Sequence, residues 1–218
     1  MNLYLYCVLD ADFNPPEIPG VQNQPSRTVE INGLWIVVSP FSGTEIPTSK
    51  EHIARHERLI EGYLHRTTPL PFRFGSIVGE DRLREFITKH TDILRKDLSR
   101  VRNCVEMGLK VMVPAPDTTK ARTGTEFLEA KRRVQDLKRE VAGWVKGRVA
   151  ATVRETEITL MQGTGMPIVR IAHLVPRDRL FDYKSHIDRA LQERTEYHFL
   201  RSGPWPPYSF VSTAEMTP

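Results

Sequence analysis

The chain has 218 residues, 39% hydrophobic and 27% charged, a balance that excludes disorder and a length that allows one large core or two small ones. With 31 Lys and Arg against 27 Asp and Glu the formal charge is only +4, and acids are interleaved with the bases. A concentrated basic face of the kind a nucleic-acid binder needs is therefore not demanded.

Cys7 and Cys104 are the only cysteines. Their apolar neighbours predict two buried free thiols in a reducing compartment, not a disulfide framework. The opening MNLYLYCVLD lacks the basic start and cleavage site of a signal peptide. No run reaches the roughly 18 apolar residues of a membrane span. The expectation is a soluble protein.

In chain order, LYLYCVL at 3–9 is an apolar, aromatic run that predicts a buried strand. Residues 10–26 hold four prolines and no periodicity, which predicts a loop or flap. TVEINGLWIVVSP comes after it, and its Asn32-Gly33 pair supplies the positive φ angles of a type I′ turn, so it predicts a hairpin. Thr48 and Glu51 form a capping-box pattern opening a helix to about Arg66. Its apolar stripe is Ile53, Leu59, Ile60, Tyr63 and Leu64. TTPLPFRFGSIV is extended, because each proline biases its predecessor away from helix. A second helix runs from about Glu80 to Asn103 on Leu83, Phe86, Ile87, Leu94, Leu98 and Val101. Strand, hairpin, helix and strand over the first 78 residues make a small α+β layer.

The pattern then restarts. VEMGLKVMV (105–113) is a strand, and Thr123 with Glu126 caps a long helix to about Arg148. Phe127, Val134, Leu137, Val141, Trp144 and Val145 recur along it. TEITLM and PIVRIAHLV, separated by GTGM, form a second hairpin. A helix over 177–194 carries Leu180, Tyr183, Ile187 and Leu191, and EYHFL closes as a strand. The order β-α-β-β-α-β is the ferredoxin-like arrangement. The fold class is thus α+β with two domains: 1–103, and 104–218 with a Pro/aromatic tail at 202–211.

Motifs for chemistry are sparse. His52 and His56 stand at i, i+4 in EHIARHER, a spacing that can serve a metal, but no third ligand accompanies them and a solvated helix face is the reading preferred. GTGMPI lacks the lysine and following helix of a phosphate loop. There is no G-x-S-x-G elbow. Nothing near Cys104 lowers a thiol pKa. No catalytic, cofactor-binding or metal-binding residue is predicted. The runs Lys131-Arg132-Arg133 and Lys138-Arg139 raise nucleic-acid binding through the basic face of the 125–148 helix as an alternative. PFRFGSIV has the wrong order for an RNA-recognition strand, however, and Glu126, Glu129, Asp136 and Glu140 interrupt the basic runs.

Two phrases remain without a chemical reading: TTPLPFRFGSIVGE and SGPWPPYSF. In both, proline stiffens the backbone while aromatics present apolar area at low entropy cost. Arg73, between Phe72 and Phe74, can stack on a ring or pair a carboxylate. Phe72, Arg73, Phe74, Trp205, Pro206, Pro207, Tyr208 and Phe210 are the candidate site, either a partner-binding surface or a domain-packing ribbon.

These phrases also carry a resemblance. LYLYCVLD, HERLIEGYLHRTTPLPFRFGSIV, EDRLREFI, EMGLKVMV, GTEFLEAKR, AHLVPRDRLFDY and GPWPPYSFV, in that order and over nearly the whole chain, resemble the gas vesicle protein F/L family (GvpF/GvpL). The resemblance implies a modified ferredoxin-like N-terminal domain, no enzymatic activity and no cofactor. It implies a cytoplasmic, gas vesicle-associated accessory or minor structural protein. Its implied partners are the major shell protein (GvpA type) and other gas vesicle accessory proteins, with neither nucleic acid nor lipid membrane, and its place is nucleation or the gas-facing side of the shell. The Pro-rich 10–26 stretch and Cys7, where a small residue such as glycine is expected, depart from the family pattern.

Overall fold

The computed structural model describes residues 2–113, 123–161 and 167–212. The described residues form two units, one of residues 2–105 with 205–212 and the other of those between 106 and 204.

The first unit is built on β1 (Asn2–Leu9), β2 (Arg27–Ile31), β3 (Leu34–Phe41), β4 (Leu70–Pro71) and β5 (Ile77–Gly79). Its sheet order is β2-β3-β1-β4, with β5 also paired to β1. All the pairings of β1 are antiparallel. The central place of β1 explains its composition: Leu3 to Leu9 are at most 1% exposed, so both faces must be apolar. The Asn32-Gly33 turn joins β2 to β3 with φ of 52° and 71°, the left-handed pair that a type I′ turn requires.

Two helices complete this unit, α1 (Lys50–Leu64) and α2 (Glu80–Val101). The cap of α1 is Ser49, whose Oγ accepts from the His52 amide at 3.1 Å, one residue after the expected Thr48. Leu59, Ile60 and Tyr63 of α1 pack with Tyr4, Tyr6, Cys7 and Leu9 of β1. On α2, Leu83, Ile87, Leu94, Leu98 and Val101 are buried as the periodicity requires, and Asp97 is buried among them.

The proline-rich stretch after β1 is pinned by one phenol. The Tyr6 hydroxyl accepts from the Val21 amide at 2.8 Å and shares a hydrogen bond with Ser39 Oγ at 2.9 Å. A Cβ on Gly20 would lie 2.2 Å from that oxygen, so only glycine lets the chain approach. Tyr6→Phe leaves the buried Val21 amide unpaired and is expected to cost about 1–3 kcal/mol. Urea denaturation measures the loss. Hydrogen exchange should show residues 18–26 opening first.

The second unit holds β6 (Cys104–Met112), α3 (Gly124–Val149), β7 (Glu155–Met161), β8 (Ile168–Pro176), α4 (Leu180–Glu193) and β9 (His198–Trp205), with β6 and β9 each crossing its boundary by one or two residues. The strand order is β7-β8-β6-β9, the order of a ferredoxin-like βαββαβ sheet. Thr123 caps α3 by accepting from the Glu126 amide at 3.2 Å, as its sequence predicts. The GTGM turn falls outside the described residues. His173 of β8 reaches Tyr183 of α4, Nδ1 to hydroxyl, at 2.9 Å. Arg194 lies over Trp144 of α3 and Tyr197, 5.5 and 5.9 Å from the ring centres.

Two expectations change. The Pro/aromatic tail groups from Trp205 onward with the first unit, not with the C-terminal domain, because Asp97 and Arg100 of α2 hold it by hydrogen bonds. His56 does not sit on a solvated face. It is 1% exposed, on the same stripe as Leu59, Ile60 and Tyr63.

Candidate functional site

The residues marked by the two proline-bearing phrases all belong to the first unit, but they divide by exposure. Phe72, Pro206, Pro207 and Phe210 are buried, Phe74 is half-buried, and Arg73, Trp205 and Tyr208 are exposed. Each phrase therefore has an anchored side and an open side.

The first phrase begins as a strand. Leu70 and Pro71 pair with Val8 and Cys7, and the Phe72 amide donates to the Tyr6 carbonyl at 2.8 Å. The chain then turns at Arg73, whose carbonyl accepts from Ser76 Oγ at 2.8 Å. Proline is tolerated at position 71 because β4 lies at the end of the sheet order, where a missing N–H breaks no interior ladder. The Arg73 guanidinium has no hydrogen-bond or ion-pair partner among the described residues.

Behind this turn lies an aromatic cluster. Tyr4, Tyr6, His56 and Phe74 meet in stacked, tilted or edge-on pairs, with ring centres 5.0 to 6.4 Å apart. The Tyr4 hydroxyl meets His56 Nδ1 at 3.1 Å and accepts from the Gly75 amide at 3.1 Å. Burial lowers the His56 pKa to about 4, with a Phe72 backbone group opposing. Burial also raises the Tyr4 and Cys7 pKa values. These groups are neutral at pH 7, and the cluster backs the turn that carries Arg73.

The second phrase continues the edge strand β9 as far as Trp205, where proline again costs no interior ladder bond. Beyond it, Pro206 and Pro207 are buried and a short 3₁₀ turn spans Tyr208–Phe210. Two side chains of α2 clamp the segment from Phe210 to Ser212. Asp97, 2% exposed, accepts from the Ser212 amide and the Ser212 hydroxyl, both at 2.7 Å. Arg100 pairs with Asp97 at 2.9 Å and donates to the Phe210 carbonyl.

Tyr208 is split along its length. The residue keeps 37% of its surface in water, yet burial at the hydroxyl end raises its pKa, with Glu57, Cys7, Glu61 and Tyr4 adding to the effect. Trp205 is 39% exposed. The geometry is thus a backbone held from behind, presenting one indole and one phenol edge to solvent.

Sequence reasoning passed over Asp97, Arg100, Tyr4 and Tyr6. A signal existed for Asp97: it falls on the apolar stripe between Leu94 and Val101, where a charge must be paired to be buried. Tyr4 and Tyr6 are two apart in a strand and share a face.

The whole pattern matches one family, described as gas vesicle synthesis protein GvpL/GvpF, over residues 2–212. The chain belongs to the GvpL/GvpF family. Gas vesicle protein F1 of Halobacterium salinarum is 26% identical over 96% of this chain and 92% of its own length. Gas vesicle protein L2 of the same organism is 25% identical over 95% and 90%. F-type and L-type relatives are thus about equally similar. In fold, the chain resembles the crystal structure of GvpF from Microcystis aeruginosa, with a TM-score of 0.80 at 16% identity over 97% of this chain and 99% of that one. It also resembles GvpF from Anabaena, with a TM-score of 0.81 at 17% identity over 98% and 97%. As a GvpL/GvpF member, the protein acts in gas vesicle formation. No helix among the described residues is long and apolar enough to cross a membrane.

Proposed function

We propose that the protein is a cytoplasmic accessory protein of gas vesicle assembly that binds the hydrophobic major shell protein (GvpA type), during nucleation or at the gas-facing side of the shell. A subunit that polymerises into a water-repelling wall exposes apolar surface before it assembles, and such surface aggregates unless it is occupied. A binder suited to that task presents aromatic area on a backbone that loses little entropy on contact. The observation that carries this reading is the half-exposed pair Trp205 and Tyr208 on a ribbon anchored by Pro206, Pro207 and Phe210. Arg73 and Phe74 form a second, smaller contact, and Phe72 supports it. The role needs no catalysis, cofactor, nucleic acid or lipid, and sister accessory proteins act beside it.

The nucleic-acid alternative is weakened at Lys138. That side chain is 3% exposed and donates to the Met161 carbonyl at 2.5 Å, so it is not part of a basic face.

Co-expression and pull-down with the major shell protein tests the reading. The wild type retains the shell protein. Trp205→Ala keeps its fold and weakens retention at least about tenfold, as expected for an interface Trp. Full retention by the folded variant would sink the ribbon as contact surface and leave the assembly role standing. No retention by the wild type, even with the sister accessory proteins co-expressed, would sink the role itself.

A further inference from the structure

The N-terminal half of α3 is a lightly covered helix surface among the described residues. Lys138, Val141, Ala142, Val145 and Val149 are buried, but no residue from Gly124 to Leu137 is. At 1.5 Å per residue that stretch runs for about 20 Å.

Its sequence does not become polar where burial stops. Phe127, Ala130, Val134, Leu137, Val141 and Trp144 are spaced 3, 4, 3, 4, 3, the a/d repeat of a two-helix seam. The C-terminal part of the seam is used within the second unit. The remainder leaves Phe127 39% exposed and Ala130, Val134 and Leu137 half-buried, with Leu128 beside it 67% exposed. A solvated helix needs no such repeat.

Charges beside the seam select the occupant. In the open half the flanking positions hold Lys131 and Arg133, with Glu126 at the very start. Lys131 lies over the Phe127 ring, 4.6 Å from its centre. The acids Glu129 and Asp136 lie on the outer side, each near an arginine, Glu129–Arg133 at 3.9 Å and Asp136–Arg139 at 3.6 Å. A second copy is a poor fit. Antiparallel pairing sets Lys131 on Lys131, Arg133 on Arg133 and Glu126 on Glu140. Parallel pairing sets Glu126 on Lys131 but offers Arg133 no acid, because the position opposite is Lys138, which is buried.

We infer that Phe127–Leu137 of α3 is a docking seam for an amphipathic helix of a partner protein whose apolar stripe is flanked by acidic residues. The surface lies in the second unit and is independent of the ribbon reading.

Two synthetic 21-residue helical peptides with leucine at a and d, one with glutamate and one with lysine at e and g, probe the seam by fluorescence anisotropy against the full chain. The glutamate peptide is expected to bind at least about tenfold more tightly than the lysine peptide. Val134→Glu abolishes that binding while the circular dichroism spectrum stays unchanged. Lys131→Glu with Arg133→Glu, which keeps every apolar residue of the seam, reverses the preference. Absent binding, equal binding of both peptides, or an unreversed preference in the double variant overturns the inference. So does a wild-type dimer in sedimentation that Val134→Glu returns to monomer, because the occupant is then a second copy.

Discussion

Asp97→Ala is expected to destabilise the first unit by about 3 kcal/mol and to release the C-terminal ribbon. The carboxylate carries three charge-assisted hydrogen bonds, from the Ser212 amide, the Ser212 hydroxyl and Arg100. Bonds of that type contribute roughly 1.5–3 kcal/mol each before compensation. Compensation is partial. The Arg100 side chain is 32% exposed and turns to water, so the loss stays below the sum. It also stays at the low end of the roughly 3–5 kcal/mol seen when a buried pair is broken. Urea unfolding at pH 7 measures the first effect. Chymotrypsin measures the second, because the bonds after Tyr208 and Phe210 become cleavable once the segment lifts, while Trp205, followed by Pro206, stays resistant. Asp97→Ala in a Ser212→Ala background should cost less than in the wild type, since the hydroxyl bond is already gone there. A loss under about 1 kcal/mol with an intact ribbon would show that proline and Phe210 packing, not the clamp, hold it. The same variant informs the binding question: a folded protein with a released ribbon should bind shell protein more weakly than one with the ribbon set in place.

Acid is expected to destabilise both units between about pH 6.5 and pH 4. His56 and His173 are buried, and burial lowers each pKa from 6.5 to about 4. The folded protein therefore keeps both imidazoles neutral where the unfolded chain takes up protons. Stability is independent of these groups above pH 6.5 and falls as pH drops toward 4, because the unfolded state binds more protons there. A lowering of 2.5 units corresponds to about 3 kcal/mol for each histidine at the acid end of that window. Glu61 works in the opposite direction. Burial and Glu57 raise its pKa, so it binds its proton more readily in the folded state. The distinguishing experiment compares the wild type with His56→Gln by urea denaturation from pH 7 to pH 5.5, above the range where most carboxylates titrate. The difference in stability between them should change with pH in step with the His56 imidazole. Parallel curves would mean that folding leaves the His56 pKa unchanged.

The two histidines also show what periodicity can and cannot reveal. His56 lies on a helical stripe with Leu59, Ile60 and Tyr63, and His173 shares a strand face with Val169, Ile171 and Val175 along β8. Those positions alone indicate a core location. Their partners were not legible, because Tyr4 is 52 positions from His56 and no local pattern links a strand to a helix across such a distance. The ribbon obeys the same rule. Its stiffness and its exclusion from an interior strand come directly from proline, which fixes φ and removes the N–H. Which of its faces is buried depends on Asp97 and Arg100, over a hundred residues away in the chain.

Local chemistry, therefore, determined the elements, the Thr123 cap and the Asn32-Gly33 turn. It also determined the βαββαβ order of the second unit, since each rests on residues within a few positions of one another. Family membership was equally available there, carried by phrases spread along the chain. Only the tertiary structure decided that Phe72, Pro206, Pro207 and Phe210 are anchors while Trp205 and Tyr208 face water, and that no residue of α3 before Lys138 is buried. Burial is a property of what comes to lie against a residue, and those neighbours are supplied by distant parts of the chain.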